Sequence, residues 1–184
     1  MQGLLDRYEG SFDVKWLEHA EQLQERQDKL FGDEKDGGYF TSTGNDASIL
    51  LRLKEDNDNA EPAPSSVAAL NLFRLAQIRD AKEMCERGEK TIAAFGATLQ
   101  HFPTALPQLL VALEFSLTKP RQIIVAGKSD GADTRALLAE VHRHFLPDTI
   151  VLLAAGAEGQ TYPGARPEEV RALKPVEGKA AAYV

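Results

Sequence analysis

Apolar and polar positions follow two different patterns along this chain, and the pattern changes near residue 120. Before that point, apolar side chains recur every three or four positions, which predicts four helices over about 14–31, 64–79, 81–101 and 105–117. After that point, two short runs are apolar throughout, as in the buried strands of a parallel sheet. The sequence therefore predicts a mainly α chain with a small C-terminal α/β unit.

The second part of the chain is typical of a strand–helix–strand unit. Its two apolar runs, 122–126 and 149–153, are rich in β-branched residues, and residues 133–145 between them have helical spacing. A helix-length crossover makes the two strands parallel. A short helix at 168–173 and a last strand at 180–184 complete this prediction.

The charge distribution supports two units of different character. The net charge of −7 lies entirely within residues 1–119, and residues 120–184 are neutral. We expect helical hairpins in the first range and the α/β unit in the second, with helices that are neighbours in sequence packed antiparallel. An acidic chain lacks the basic surface that nucleic acids require, so a nucleic-acid partner is not expected.

Several residues predict where the helices begin and end. Asp13 is a good N-cap for the first predicted helix, and Asp80 is suited to cap the helix over 81–101. Pro64 and Pro107 fit the first turns of their helices. Leu4 and Leu5 have no helix-start signal before them, and they are expected to be the end of a preceding segment.

A loop at 33–44 contains two adjacent glycines, which permit backbone conformations closed to other residues. Residues 39–41 are expected to form a short strand that pairs with residues 49–53 as a hairpin. The aromatic side chains after the glycines, Tyr39 and Phe40, have two interpretations that remain open. They form a stacking wall for a ligand, or they fill the core beside a tight turn.

An acidic loop leads into the most apolar helix of the chain, over 64–79. Carboxylates bind hydroxyl groups and cations and can perform acid–base chemistry, so this loop is a candidate site. The commoner alternative is a solvated loop whose acids favour the following helix N-terminus. The carboxylates of this loop are Glu55, Asp56, Asp58 and Glu61.

Other chemical motifs are weak, so neither a metal nor a cofactor is expected. No histidine pair has a recognised metal-ligand spacing; His142 and His144, two positions apart on a helix, face different ways. A phosphate-binding loop at Gly127 would need a glycine five residues earlier, where Gln122 stands. The one cysteine, Cys85, is expected to be a buried, inert thiol. With no apolar run of eighteen residues, no signal peptide and no internal disulfide, a cytoplasmic protein without a membrane partner is expected.

Motifs spread over the whole chain resemble those of the spermatogenesis-associated protein 20 family and its bacterial relatives. They appear in the family's order and spacing. They are Phe12-Asp13 with Trp16-Leu17, Leu23-Gln24, Gln27-Asp28 with Leu30-Phe31, Gly37-Gly38-Tyr39-Phe40, Arg52-Leu-Lys-Glu-Asp, Ala60-Glu-Pro, Ser66-Val-Ala-Ala-Leu-Asn-Leu, and Gly178-Lys179-Ala180 with Ala182-Tyr183-Val184.

The resemblance implies a larger protein with a thioredoxin-like domain followed by an (α/α)6 toroid. Such toroids are similar to six-hairpin glycosidases and N-acylglucosamine 2-epimerases. Residues 14–117 would be the closing hairpins, the rest of the toroid and the thioredoxin-like domain would lie outside this chain, and loops 37–40 and 55–66 would line a central funnel. The acidic loop departs from the family pattern at Asn57, Asn59, Ala63 and Ser65, in place of an aromatic residue, a glycine, a serine and an asparagine.

The first functional hypothesis is therefore the C-terminal part of a carbohydrate-active-type protein, epimerase/isomerase-like or glycosidase-like, inactive as an isolated segment. Its partners would be a sugar or sugar derivative and the N-terminal part of the parent protein. No residue is assigned as catalytic. The candidates for substrate contact are Asp36, Tyr39, Arg52, Glu55, Asp56, Asp58, Glu61 and Ser66. The alternative hypothesis is a non-catalytic helical module that associates through exposed helix faces, with a second copy of the chain as one expected partner.

Overall fold

The computed structural model describes residues 1–45, 48–118, 120–154 and 172–184, and these ranges form a mainly helical fold with a small sheet. The α-helices of the described ranges are α1 (Gln2–Ser11), α2 (Val14–Phe31), α3 (Pro64–Arg79), α4 (Lys82–Ala93), α5 (Gly96–His101), α6 (Pro107–Leu117) and α7 (Ala132–His142). The strands are β1 (Arg121–Ala126), β2 (Thr149–Ala154) and β3 (Ala181–Tyr183). The mainly α architecture with a small α/β unit is confirmed.

The chain begins with a helix that the sequence did not predict. Helix α1 has no side-chain N-cap, and it packs against α2 with Leu5 and Tyr8 buried. It ends at Phe12, which adopts the left-handed conformation with φ of 55° and donates its N–H to the carbonyl of Tyr8. The sequence carried no start signal for this helix, because burial of two residues one turn apart stabilises it without capping residues. The predicted cap Asp13 is confirmed: its side chain accepts from the N–H of Lys15.

Helix α3 lies at the centre of the fold, as the apolar residues on almost every side of it predicted. It contacts α1, α4, α6 and β2, and eleven of its sixteen residues are buried. Pro64 occupies its first turn as expected. The contact with α4 is close at Gly88, where a Cβ atom would lie 2.8 Å from the ring of Phe73.

The predicted helix over 81–101 is two helices. Asp80 closes α3 in the left-handed conformation and does not cap the next helix, which starts at Lys82 after Ala81. The chain then breaks at Phe95, whose side chain is buried, and α5 follows from Gly96. Periodicity alone did not reveal this break because Phe95 fits the apolar face of one continuous helix. The helix predicted over 105–117 begins later than expected. Pro107 is its first residue.

The sheet has the order β2-β1-β3. Strands β1 and β2 are parallel, with Arg121 opposite Thr149 and Ala126 opposite Ala154, and α7 connects them. The predicted strand–helix–strand unit is confirmed. Strand β3 adds to the other edge of β1 in antiparallel orientation. The predicted helix over 168–173 falls largely on residues outside the described ranges.

The helices and the sheet share one hydrophobic core. Leu75 and Ile78 of α3 belong to the same buried cluster as Ile124 and Leu152 of the strands. The division into two domains near residue 120 stays a prediction. No helix of the described residues has both the length and the apolar character needed to cross a membrane.

The predicted hairpin between 39–41 and 49–53 does not form as expected. Tyr39 makes an isolated antiparallel bridge with Gly32 at the end of α2, and the described residues contain no strand at 49–53. One backbone hydrogen bond, from Thr41 to the carbonyl of Leu53 at 2.9 Å, connects the two segments. The left-handed conformations of the two preceding glycines return the chain to α2 instead.

Candidate functional site

A cleft of about 600 Å³ opens between the C-terminal half of α2, the loop at 33–44 and α4. This loop contains Gly37 and Gly38 and is called the glycine loop below. Eight of its lining side chains are charged, with more acids than bases. The cleft is lined by Glu25, Asp28, Lys29, Gly32, Asp33, Glu34, Gly37, Gly38, Tyr39, Glu83, Arg87, Lys90 and Thr91.

A hydrogen-bond network joins three elements at the floor of this cleft. The phenol of Tyr39 donates to Asp28 Oδ1 at 2.7 Å. The amide nitrogen of Gln24 donates to the same oxygen at 2.6 Å and to the Tyr39 hydroxyl at 3.0 Å. The guanidinium of Arg87, from α4, forms an ion pair with Asp28 Oδ1. Together these bonds hold a carboxylate, a phenol and a guanidinium in one place.

The network keeps the phenol of Tyr39 neutral. Burial is the main cause that raises the pKa of Tyr39 far above its ordinary value, and the carboxylate of Asp28 raises it further. Tyr39 is 3% exposed, so its hydroxyl acts as a fixed donor to Asp28 and acceptor from Gln24. This geometry orients Asp28 and does not supply an ionised nucleophile.

Two groups of the network have hydrogen-bonding capacity left for a ligand. Asp28 Oδ1 receives all three donors, while no donor from the described residues is recorded at Asp28 Oδ2. The side chain of Arg87 is 36% exposed to the cleft side of α4 and engages Asp28 through one of its nitrogens. A carboxylate oxygen and guanidinium N–H groups next to each other complement a hydroxyl group, which both donates and accepts.

Local sequence explains why these side chains meet. Gln24 and Asp28 are four residues apart and share one face of α2. Gly37 and Gly38 have φ values of 79° and 77°, and a Cβ atom on Gly37 would overlap the carbonyl oxygen of Lys90. These two glycines let the chain turn closely past α4 and place Tyr39 beneath Asp28.

A lysine outside the cleft locks the loop. Lys54 Nζ forms an ion pair of 2.7 Å with Asp33 and donates to the carbonyl of Gly37 at 2.5 Å. The Lys54 side chain is the main cause that holds the pKa of Asp33 below its ordinary value, and the backbone N–H groups of Asp36 and Lys35 lower it further. The loop is therefore held by charge as well as by backbone geometry.

Comparison with known proteins identifies the family. The chain is 37% identical, over an alignment of 185 positions that covers all of it, to the C-terminal part of spermatogenesis-associated protein 20 of mouse, and equally to that of human. This chain belongs to the spermatogenesis-associated protein 20 family. The resemblance inferred from its motifs is thereby confirmed. The chain spans about a quarter of the length of these relatives, 23%.

A further relative matches part of the chain. An uncharacterised protein of Caenorhabditis elegans is 35% identical over 113 residues, which are 61% of this chain and 15% of that protein. No family model matches the chain. These relatives establish kinship, and their names state no reaction.

In this family member the structure separates the residues that the sequence nominated as substrate contacts. Tyr39 lines the cleft, whereas the other seven nominated residues are absent from its lining. Asp36, Glu55, Asp56 and Glu61 are exposed at the surface. Whether any of them contacts a substrate stays a prediction.

Arg52 has a structural role. Its guanidinium donates to the carbonyl of Ser42 at 3.0 Å and to that of Leu30 at 3.2 Å. It also lies over the ring of Phe40, with 4.0 Å from Cζ to the ring centre. Arg52 thus fastens the loop after α2. The face of Phe40 that could have formed a stacking wall for a ligand is covered by the Arg52 guanidinium.

Asp58 joins the starts of two helices. Its Oδ1 accepts from the N–H of Ala63 at 2.7 Å, and its Oδ2 accepts from the N–H of Gln108, in the first turn of α6, at 2.8 Å. Both carboxylate oxygens are therefore engaged with backbone donors. Ser66 is fully buried, and its hydroxyl has no recorded partner in the described part of the chain.

The sequence nominated none of Gln24, Asp28 and Arg87, although all three belong to the network. A signal was present for the first two: Gln24 falls among the buried positions of α2, with Leu17 and Ala20, where an apolar residue would be expected. Asp28 follows one turn later. Arg87 carried no comparable signal, because a charged residue in an amphipathic helix is ordinary.

The remaining motifs do not form a second site in the described residues. No group of three or more metal-ligating side chains occurs there. A Cβ atom on Gly127 would overlap the hydroxyl of Thr134, so packing explains that glycine. Cys85 is half-buried, and burial followed by the charge of Glu89 raises the pKa of its thiol.

Proposed function

We propose that the cleft binds a polyhydroxylated ligand of the sugar class. In the whole protein, this chain would contribute that surface to a carbohydrate-active member of the family, epimerase/isomerase-like or glycosidase-like and built as an (α/α)6 toroid after a thioredoxin-like domain. The observation that supports the proposal is the ion pair of Arg87 with Asp28 Oδ1 at the floor of the cleft, which leaves Asp28 Oδ2 without a donor from the described residues. Charge-assisted hydrogen bonds are strong, and a few such polar groups in a cleft fix the orientation of a polar ligand.

The pair suits a hydroxyl better than an anion or a bare apolar group. Asp28 repels an anion, and its own charge partly neutralises Arg87. An apolar group would leave Asp28 Oδ2 without a donor, at a cost of about 1 to 3 kcal/mol. A hydroxyl donates to Asp28 and accepts from Arg87, so both groups gain a partner.

We expect the isolated chain to bind without turnover. The chain covers 23% of its mammalian relatives, and the remaining lining of a catalytic site would come from the rest of the parent protein. A cytoplasmic location is part of this proposal, supported by the single cysteine, Cys85, which excludes a disulfide within the chain. The exposed nominated residues Asp36, Glu55, Asp56 and Glu61 are proposed as outer contacts in the whole protein.

Thermal unfolding with a panel of ligands tests the proposal. The panel contains glucose, mannose, N-acetylglucosamine, N-acetylmannosamine and glucose 6-phosphate, because a ligand that binds only the native state raises the unfolding midpoint. We expect at least one neutral sugar to raise the midpoint in a concentration-dependent way. The rise is expected to disappear in Asp28→Asn and Arg87→Gln.

A matched variant locates the site. Glu61→Ala removes an exposed carboxylate of the acidic loop and leaves the cleft intact. If Asp28→Asn abolishes the rise and Glu61→Ala does not, the ligand binds in the cleft. If only Glu61→Ala abolishes it, the acidic loop is the site and the cleft proposal is wrong. No rise with any member of the panel, from a cooperatively folded sample, rules out sugar binding by this chain.

A non-catalytic interaction module is the second candidate, and one observation favours it. Leu50, Leu51 and Leu53 are 100%, 72% and 61% exposed, an unusual concentration of large apolar side chains on one loop. Arg52 between them is fastened to α2, which directs its neighbours outward. The proposed occupants are the rest of the parent protein or a second copy of this chain.

Sedimentation across a range of protein concentrations distinguishes these occupants. A dimer that dissociates on dilution, and that Leu51→Ser with Leu53→Ser abolishes, supports association of two copies. A monomer at all concentrations leaves the parent protein as the proposed occupant. Binding of the separately expressed remainder of the parent protein, lost with the same two substitutions, then tests that occupant.

A further inference from the structure

We propose that Ser65 is the positioning residue of the cleft: its hydroxyl holds the backbone of Tyr39 and thereby sets the phenol that orients Asp28. This inference rests on the proposed binding site, which it deepens. Ser65 is the second residue of α3, and it is 1% exposed. The sequence nominated its neighbour Ser66 and not Ser65.

The backbone of Tyr39 depends on a side chain for both of its polar groups. Tyr39 and Gly32 form an isolated β-bridge, but the backbone hydrogen bonds of this bridge are made by the two neighbours of Tyr39. Gly38 accepts from the N–H of Asp33 at 3.0 Å, and Phe40 donates to the carbonyl of Phe31 at 2.9 Å. The N–H and carbonyl of Tyr39 itself point to the opposite side, as in any extended segment.

The hydroxyl of Ser65 satisfies both of those groups. Its Oγ accepts from the N–H of Tyr39 at 2.9 Å and donates to the carbonyl of Tyr39 at 3.3 Å. Buried backbone groups need partners, and here one hydroxyl occupies the place of a neighbouring strand. A hydroxyl is the smallest side-chain group that both donates and accepts.

The clamp connects the buried centre of the fold to the floor of the cleft. Ser65 belongs to α3, the most buried helix, whereas Gln24 and Asp28 belong to α2. The phenol of Tyr39 meets those residues at 3.0 and 2.7 Å. A shift of the Tyr39 backbone would therefore change the position of the donor to Asp28 and the orientation of the free Asp28 Oδ2.

Ser66 provides a matched control. It lies next to Ser65, it is equally buried, and its hydroxyl has no recorded partner in the described residues. Ser66→Ala removes a hydroxyl of the same size from the same helix turn without touching Tyr39. A general effect of losing a buried serine should therefore appear in both alanine variants.

The test follows the phenol directly by NMR of protein labelled with ¹³C at the ζ carbon of tyrosine. The chain has four tyrosines, and Tyr39→Phe assigns the resonance of Tyr39. We expect Ser65→Ala to move this resonance towards that of a tyrosine without a carboxylate partner, and Ser66→Ala to leave it in place. If Ser65→Ala does not fold, the near-isosteric Ser65→Cys, with its weaker hydrogen bonds, replaces it.

Binding measurements separate this inference from the function on which it rests. If a sugar of the panel binds, we expect Ser65→Ala to raise its Kd about threefold to tenfold. We expect Ser66→Ala to change the Kd less than about twofold. An unmoved Tyr39 resonance in a folded Ser65 variant overturns the positioning role even if sugars bind. A moved resonance with no sugar bound by the wild type supports the positioning role and contradicts the proposed function.

Discussion

Tyr39 and Asp28 form a hydrogen bond of 2.7 Å between the phenol and the carboxylate, at the floor of a cleft. Asp28 belongs to α2, and Tyr39 belongs to the glycine loop that follows this helix. Because the hydroxyl also accepts from Gln24 at 3.0 Å and from Arg87 at 3.5 Å, its loss leaves three groups with one partner fewer. This bond is therefore expected to stabilise the fold as well as to orient the carboxylate.

Replacing Tyr39 with phenylalanine measures that contribution. We expect Tyr39→Phe to lower the free energy of unfolding by about 1 to 2 kcal/mol, as determined by urea unfolding. Tyr183→Phe is the control, because the Tyr183 hydroxyl donates to the carbonyl of Lys174 at an exposed position. Its effect should stay below about 0.5 kcal/mol. Equal effects of the two substitutions would contradict a special role for the Tyr39 hydroxyl.

Acid is expected to weaken the glycine loop through Asp33. The pKa of Asp33 is lowered in the folded protein, mainly by Lys54, from an ordinary value of 3.8. A lowered folded pKa means that this stabilisation is fully present above about pH 3.8 and is lost as the pH falls through the folded pKa. The free energy of unfolding should therefore fall more steeply with acid in the wild type than in Asp33→Asn.

Unfolding curves between pH 5 and pH 2.5 measure this difference. Asp36→Asn is the control, because Asp36 lies three residues away on the same loop and its side chain is exposed. We expect Asp36→Asn to keep the steep wild-type dependence. Parallel curves for wild type and Asp33→Asn would show that the ion pair of Asp33 with Lys54 does not stabilise the fold.

The sequence predicted elements whose pattern is complete within a few residues. Helix α3 was predictable because apolar residues occur on almost every side of it, and β1 and β2 because short β-branched runs flank a helix-length segment. Helix α1 was not predictable, because its ten residues carry neither a capping residue nor a strong apolar stripe, and its stability comes from packing on α2.

The candidate site was predictable only at Tyr39. Its partner Arg87 lies 48 residues away, and periodicity gives the buried face of each helix but not which residues meet across two faces. The acidic loop shows the converse limit. Its carboxylates look alike in sequence, and only the tertiary fold brings Asp58 to the backbone donors of two helix starts while Glu55 and Asp56 remain exposed.

Asp58 is accordingly expected to be the carboxylate of the acidic loop that stabilises the fold most. Asp58→Ala removes the acceptors for the N–H groups of Ala63 and Gln108, and losing a helix cap costs about 0.5 to 2 kcal/mol. With two helix starts affected, we expect a loss of about 1 to 3 kcal/mol in urea unfolding. Asp56→Ala, two residues away and exposed, should change stability by less than about 0.5 kcal/mol. A similar small effect at both positions would disprove the capping role.

The thiol of Cys85 is expected to react slowly with an aromatic disulfide reagent at pH 8. Burial, and then the neighbouring Glu89 carboxylate, raise its pKa from 9.0 and reduce the thiolate that reacts. Glu89→Gln removes the charge that lies 3.8 Å from the sulfur and should speed the reaction. Glu83→Gln, an exposed change on the same helix, should not. An unchanged rate in Glu89→Gln would show that burial alone suppresses the thiolate.

Because α3 packs closely against α4, we expect alanine substitutions at two helical glycines to change the free energy of unfolding in opposite directions. Alanine is the better helix former by about 1 kcal/mol, so propensity alone would stabilise both Gly88→Ala and Gly96→Ala. At Gly96 a Cβ atom meets nothing within 4 Å, and we expect a gain of up to about 1 kcal/mol. At Gly88 the Cβ atom would lie 2.8 Å from two ring atoms of Phe73, which is buried and cannot move freely.

Overpacking of that kind costs about 1 to 3 kcal/mol, which exceeds the gain in helix propensity. Gly88→Ala should therefore lower the free energy of unfolding, and a smaller residue at position 73 should restore part of it. The double variant Gly88→Ala with Phe73→Leu measures this coupling against the two single variants. Stabilisation by Gly88→Ala would mean that α4 shifts away from α3 without cost, and Arg87, on the adjacent position of α4, would then not be held rigidly over the cleft.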